Sequence, residues 1–250
     1  MARDHKSQPT SQLDAQRYFT VFRRLLERTA GPVGLVFGLT TVAIGVLTVL
    51  LLEPVIRLLE AAPPSPKVLL IGLLAMFLLT AFRTALYRPL RHLGTAARSD
   101  ISIGECCSLA AARLLPVLLL HIAIGAILIA LSVLFDAFGV WTFIPLTLLS
   151  FTLAPSLYFA ANGASITEAV HRAVTVTRHH ARWVLGIPAL FLCIGAVVPV
   201  AAFEAIVGFG TAVPAAEPLF WARVVGLYVL YSYMRWLAVS SVYVALDNAV

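Results

Sequence analysis

The sequence predicts an all-α fold: a polytopic membrane bundle of six transmembrane helices with three amphipathic helices at the cytoplasmic interface. Three observations predict it. The 250 residues are 60% hydrophobic and only 12% charged, where soluble domains carry about a quarter charged residues. The apolar residues gather into six runs, each close to the ~20 residues that cross a hydrocarbon core of about 30 Å. The basic residues are also unevenly placed. Of 18 Lys and Arg, fourteen fall on segments sharing one side of a membrane and only Arg57 and Lys67 on the other, with Arg223 and Arg235 at or inside the last run. By the positive-inside rule, both termini are expected in the cytoplasm.

Residues 1–14 are polar and are expected to form a disordered cytoplasmic tail; residues 15–250 form one membrane domain. From Ala15 the pattern turns helical, with Tyr18, Phe19, Phe22, Leu25 and Leu26 on one face and Arg17, Arg23, Arg24, Glu27 and Arg28 on the other. A basic helix with aromatic anchors before a span is expected to lie in the interface. Gly31-Pro32 ends it and opens span 1, residues 33–52, which is expected to serve as an uncleaved anchor. The outer connector, 53–67, carries APPSP, read as a rigid extended turn. Span 2 covers 68–86, its ends marked by Lys67 and Arg83, expected to snorkel from a short helix. Residues 88–98 read as a basic cytoplasmic connector.

A second amphipathic segment, SDISIGECCSLAAAR, follows at 99–113, with Ser99 or Asp100 as the expected helix cap. Span 3 is 114–135, interrupted by His121. A turn around Asp136 and Gly139 leads to span 4, 141–161, which contains Pro145 and Pro155, and Asn162-Gly163 then marks a turn. In the third amphipathic segment Ile166, Ala169, Val170, Ala173 and Thr177 form one stripe, and Glu168, His171, Arg172, Thr175, Arg178 and Arg182 the other. Glu168 and Arg172 have the favourable i,i+4 order. Span 5 is 184–203 and span 6 is 224–246. The chain thus presents an amphipathic helix followed by two spans three times over. Ser102-Ile103-Gly104-Glu105 and Ser165-Ile166-Thr167-Glu168, identical at three of four positions, mark the last two copies.

The stretch APSLYFAANGASITEAVHRAVTVTRHHARWVLGI, with SIGECCSLAAARLLPVLLL as an earlier copy, resembles the membrane domain associated with bacterial glycerophosphoryl diester phosphodiesterases. It also resembles related multi-pass bacterial membrane families of unknown function. The shared pattern is a Pro-containing span end, a Gly turn, an "EA" helix of Ala, Arg and Thr, and a Trp or Arg leading into the next span. The resemblance implies a helical membrane fold over about residues 15–246 in a bacterial inner membrane, and no established activity. The catalytic domain sometimes fused to that membrane domain has no counterpart, since no polar stretch is long enough to hold one. No catalytic residue is carried over.

Arg235 is the strongest functional candidate. It stands mid-way along span 6, where a charge costs about 3 kcal/mol to insert, so it must face protein, water or a phosphate. It is either a ligand for a substrate or lipid phosphate, or a structural anchor. As an anchor it would bond carbonyls freed by Pro145, Pro155, Pro188 or Pro199, or stack on Tyr231. His121 reads as a proton relay or as a histidine bonded to a neighbouring helix, the second reading being favoured because no acid lies at its depth. Glu204 and Arg223, near the outer ends of spans 5 and 6, are expected to form an interfacial ion pair. Arg23, Arg24, Arg172, Arg178 and Arg182 are candidate contacts for anionic headgroups. His171, His179 and His180 flank a basic helix without metal-ligand geometry, and the cysteines (Cys106, Cys107, Cys193) form no CxxC, so neither metal nor cofactor is expected. Ser240-Ser241 reads as helix-packing chemistry.

The net charge of +6 flanks apolar runs instead of forming one polar face, which points to lipid headgroups and away from nucleic acid. No nucleophile constellation, paired carboxylates, phosphate loop or HExxH motif is present. The expected function is therefore non-enzymatic: a lipid-associated or protein-interaction module of the cell envelope. A small transporter or channel-like subunit with a polar cavity near Arg235 and His121 is the alternative, and an intramembrane lipid-modifying enzyme the third class. A transporter would need Arg235, His121 and the prolines of spans 4 and 5 on one hydrated path; an enzyme would need two titratable groups in reach of one cavity.

Overall fold

The structure, a computed structural model, describes residues 15–59, 66–95, 100–135, 139, 141–195 and 218–247. Every extended element within them is a helix: α1 (Ala15–Thr29), α2 (Pro32–Leu59), α3 (Pro66–Ala85), α4 (Tyr87–Thr95), α5 (Ile103–Ala111), α6 (Leu114–Leu134), α7 (Phe143–Ala161), α8 (Ile166–Val184), α9 (Gly186–Gly195) and α10 (Pro218–Asp247). Four stretches among them are long and apolar enough to cross a membrane, namely Leu70–Thr95, Leu114–Leu134, Phe143–Ala161 and Val225–Asp247. A fifth is added if α1 and the adjoining Pro32–Thr48, which meet at 83°, count as one broken span. The sharp break falls at Gly31-Pro32, as expected from a proline that starts a helix without needing an N–H partner. Of the fifth expected span, only α9 is described; residues 196–203 lie outside the described residues.

Packing is dense at one end of the bundle and sparse at the other. The second half of α10, from Trp236 to Leu246, is buried almost without interruption, and α1, α2, α4, α7 and α8 all pack on α10. Toward the other end large apolar side chains are exposed: Leu70 and Ile71 on α3, Ile129 and Val133 on α6, Phe143 and Ile144 on α7, and Leu227 and Leu230 on α10. That is the distribution expected of helices whose outer faces meet lipid, because burial within the protein is not the only way to remove apolar surface from water.

The amphipathic segments all form helices, with differences from the expected faces. α1 buries Tyr18, Val21, Leu25 and Thr29, leaving Phe19 and Leu26 exposed. The face assigned to lipid is therefore partly protein-facing. Tyr18 stacks on Trp183 of α8 at 5.2 Å and its hydroxyl lies 3.5 Å from the carbonyl of Ala238, while Arg28 donates to the carbonyl of Leu93 at 2.6 Å. α8 buries Ala169, Ala173 and Thr177, so small side chains let it pack closely on α7. Ile166, assigned to the same stripe, is exposed.

Three expectations need correction. The helix cap of α5 is Ser102, not Ser99 or Asp100: the Ser102 hydroxyl accepts from the amide of Glu105 at 3.2 Å. Ser165 does the same for Glu168 at 3.4 Å at the start of α8. Both residues satisfy an amide that the first turn leaves unpaired, so the two matching tetrapeptides are the same cap used twice. Secondly, the described part of the expected connector, residues 88–95, is not a plain connector. Tyr87–Thr95 is helical and prolongs α3, with Pro89, Leu90 and Leu93 buried. Thirdly, α2 continues to Leu59, past the expected start of the outer connector at residue 53, because Val55, Ile56, Leu58 and Leu59 keep the run apolar. The turn at Asn162-Gly163 is as expected, with Gly163 at φ +112°, a backbone state that favours glycine.

Candidate functional site

Lengthening α3 by α4 changes the position of one arginine. Arg83, expected to snorkel at a helix end, stands twelve residues before the end of the stretch Leu70–Thr95; Arg235 stands twelve residues before the end of Val225–Asp247. Both are mid-stretch, and both line a single cavity of about 320 Å³, near the lower end of volumes that hold small ligands. α2 supplies Phe37, α7 supplies Ser150, Phe151 and Ala154, and α9 supplies Pro188. α10 contributes Tyr228, Tyr231, Ser232, Trp236 and Tyr243 as well as Arg235, and Thr84 and Tyr87 stand beside Arg83. From Tyr228 to Tyr243 the lining covers about 22 Å of helix axis.

The floor is aromatic. Trp236 stacks on Phe37 at 4.5 Å, Tyr87 lies 6.2 Å from both Trp236 and Tyr243, and Tyr158 lies 5.4 Å from Tyr243. Arg83 places its guanidinium 5.9 Å from the centre of the Phe37 ring, an arrangement worth up to about 2 kcal/mol when shielded from water. Arg235 makes no such ring contact among the described residues, so the expected stacking on Tyr231 is not seen. Tyr231 instead donates to the carbonyl of Phe191 in α9. Gly195 permits that crossing, since a Cβ there would collide with the Tyr231 hydroxyl.

The electrostatics of the cavity are one-sided. Arg83 and Arg235 are like charges on the same lining. Among the described residues neither has a carboxylate partner or a hydrogen bond. No carboxylate, lysine, histidine or cysteine among the described residues is part of the lining. Two hydrogen-bond donors on lining residues are buried without a partner: the indole N–H of Trp236 and the hydroxyl of Tyr243. The contrast with neighbouring tyrosines is informative. Tyr233 bonds Thr29 at 2.7 Å, and Tyr158 reaches Asp247 at 3.3 Å, which also pairs with Arg91 at 2.6 Å. Tyr231, also on the lining, is satisfied by the Phe191 carbonyl, whereas the Trp236 indole N–H and the Tyr243 hydroxyl are buried without a partner, as is the Thr177 hydroxyl on α8. A buried unpaired donor costs about 1–3 kcal/mol, and two such donors beside two unpaired guanidinium groups suit a ligand rich in acceptors and negative charge.

His121 is not part of the wall. It bonds its own helix at the carbonyl of Val117, 3.1 Å, and stands 3.4 Å from the Thr84 hydroxyl, so it lies one side chain behind the cavity. Neither Pro145 nor Pro155 lines it; Pro188 does. Ser240 and Ser241 are buried and return their hydroxyls to the carbonyls of Trp236 and Leu237. Of the candidate headgroup contacts, Arg23 pairs with Glu27 at 2.8 Å and Arg172 with Glu168 at 2.7 Å, the latter as the spacing implied. Arg24, Arg178 and Arg182 are exposed on the same helices. The expected pair of Glu204 and Arg223 lies outside what is described: residue 204 is not among the described residues, nor is the side chain of Arg223.

Sequence reading therefore found Arg235 and missed Arg83, Trp236 and Tyr243. The available signal for Arg83 was the apolar content of 86–94, where Leu86, Leu90 and Leu93 recur at helical spacing and extend span 2 beyond it. Comparison with known proteins returns no match to a family model, a curated protein or a solved structure.

Proposed function

We propose that this chain is a six-span protein of the bacterial inner membrane, both termini cytoplasmic, whose bundle binds an anionic head group between Arg83 and Arg235. The observation that carries this reading is the pair of mid-stretch arginines facing one cavity without a carboxylate partner, beside the unpaired donors of Trp236 and Tyr243. A phosphate-class group supplies several acceptor oxygens and compensates both charges, and planar guanidinium forks suit it. The role is binding, as a lipid-associated module of the envelope, with Arg23, Arg24, Arg172, Arg178 and Arg182 meeting anionic headgroups at the surface. The likeness to the glycerophosphoryl diester phosphodiesterase membrane domain rests on its motifs alone and adds no activity.

The two alternatives draw less support. A small transporter or channel-like subunit would use His121 and the prolines of spans 4 and 5 on the arginine path; of these Pro188 lines the cavity, whereas His121, Pro145 and Pro155 do not. An enzyme would need a general acid or base in reach of the ligand, and the lining offers hydroxyls without an adjacent imidazole or carboxylate.

The test is equilibrium binding of glycerol 3-phosphate and of a short-chain anionic phospholipid to the purified protein in detergent. Losing one charge-assisted contact removes about 1.5–3 kcal/mol, so Arg83→Gln and Arg235→Gln are each expected to weaken binding by roughly ten- to a hundredfold. Unchanged affinity in the double variant would remove the proposal.

A further inference from the structure

The polar cavity has an apolar neighbour. A groove of about 560 Å³ runs between α7 and α9, lined by Phe143, Ile144, Leu148, Ala189, Leu192 and Cys193 among others. Arg182 and Ala181 stand at the end where α8 passes into α9. From Phe151 to Phe143 the groove follows α7 for about 12 Å. Ile144, Leu148, Leu192 and Cys193 are all exposed, so the groove opens on the outer face of the bundle.

Phe151 belongs to both spaces. On one side it meets the chamber of Arg83 and Arg235, on the other the groove, and Pro188 and Ala189 make the same division on α9. Four residues on, Pro155 has no N–H to give to the carbonyl of Phe151, so the α7 ladder is weakened at the shared residue. Ser156 bonds the carbonyl of Leu153 at 2.5 Å, a bond within the same turn. The residue shared by the two spaces is thus an aromatic side chain on a helix turn lacking a regular hydrogen bond.

We infer that the ligand of the arginine cavity is an anionic lipid that enters sideways from the bilayer through the α7–α9 seam, its head on Arg83 and Arg235 and one acyl chain in the groove. This rests on the anion-binding reading above and names its ligand class. The occupant of the groove follows from adjacency and charge: a basic chamber that shares Phe151 as a wall with an apolar trough matches an amphiphile with a negative head. A soluble anion would use the chamber and leave the groove without a role. The unpaired donors of Trp236 and Tyr243 serve head-group oxygens, while the groove lining offers the chain only dispersion contacts and exclusion from water.

The experiment uses the whole chain in lipid nanodiscs containing phosphatidylglycerol with a diazirine near the end of one acyl chain, irradiated and mapped by peptide mass spectrometry. Phosphatidylcholine with the same chain serves as the zwitterionic control. Labelling is expected to concentrate on the α7 and α9 groove residues, at least fivefold above the zwitterionic lipid, and to fall to that level in Arg83→Gln/Arg235→Gln. Leu148→Trp, which fills the groove on an exposed position, is expected to cut groove labelling at least fivefold while glycerol 3-phosphate still binds. Labelling scattered around the bundle, or unaffected by the arginine variants, with glycerol 3-phosphate bound normally, overturns the lipid inference and leaves the anion site standing. Failure of both probes to show arginine-dependent binding overturns the two together.

Discussion

At the scale of single residues, the cavity is marked by charges and donors that have no partner among the described residues. Arg235 was legible because an arginine far from either end of an apolar run needs a physical reason. Arg83 was not, since its depth depends on whether the helix stops at residue 86 or continues through Thr95. Trp236 and Tyr243 were illegible for a different reason: whether a donor finds a partner depends on contacts between helices distant in sequence. Their effect on stability should change sign with the ligand. Tyr243→Phe removes a buried unpaired hydroxyl, so the empty protein is expected to unfold at the same or a higher temperature, by as much as the ~1–3 kcal/mol such a group costs. Saturating glycerol 3-phosphate should then stabilise the variant less than the parent. Thermal unfolding with and without the anion tests this; a variant less stable than the parent when empty, yet equally protected by the anion, would show that the hydroxyl has a structural role.

At the scale of elements, the repeated unit is carried by its caps. Ser102 and Ser165 hold nearly the same extended backbone, φ −72° and ψ 159° against φ −66° and ψ 162°, and each accepts from the amide of the glutamate three residues on. The tetrapeptide match was readable in the sequence, but its boundary was not, because Ser99, Asp100 and Ser102 are all residue types that cap helices. Only the chain path decides among them. Ser102→Ala and Ser165→Ala are expected to cost about 1 kcal/mol each, seen as faster amide exchange over the first turns of α5 and α8 with the bundle otherwise unchanged. Exchange unaltered at those turns would mean that docking, not capping, holds them. The helices themselves were predictable from uninterrupted apolar runs, and the faces less so. α1 directs Tyr18, Val21 and Leu25 inward and leaves Phe19 out, a choice that depends on where α10 and Trp183 lie.

At the scale of the whole molecule, the described residues pack tightly at one end of the bundle and sparsely toward the other, and the basic chamber lies on the border between the two. Ties such as Arg28 to Leu93, Arg91 to Asp247 and Tyr158 to Asp247 hold α1, α4, α7 and α10 together at the packed end. Composition could reveal that the chain is helical and apolar enough for a bilayer, since this depends on each segment alone. It could not reveal that α2, α3, α7, α9 and α10 converge on one cavity, which depends on all of them at once. The central claim is that this cavity is an anion site, and the most direct measurement is anomalous diffraction from crystals grown with selenate as a phosphate mimic. A selenium peak is expected between the guanidinium groups of Arg83 and Arg235, within hydrogen-bond reach of Trp236 or Tyr243. A cavity without a peak at saturating selenate, or one in which a carboxylate of the chain itself occupies that position, would contradict it.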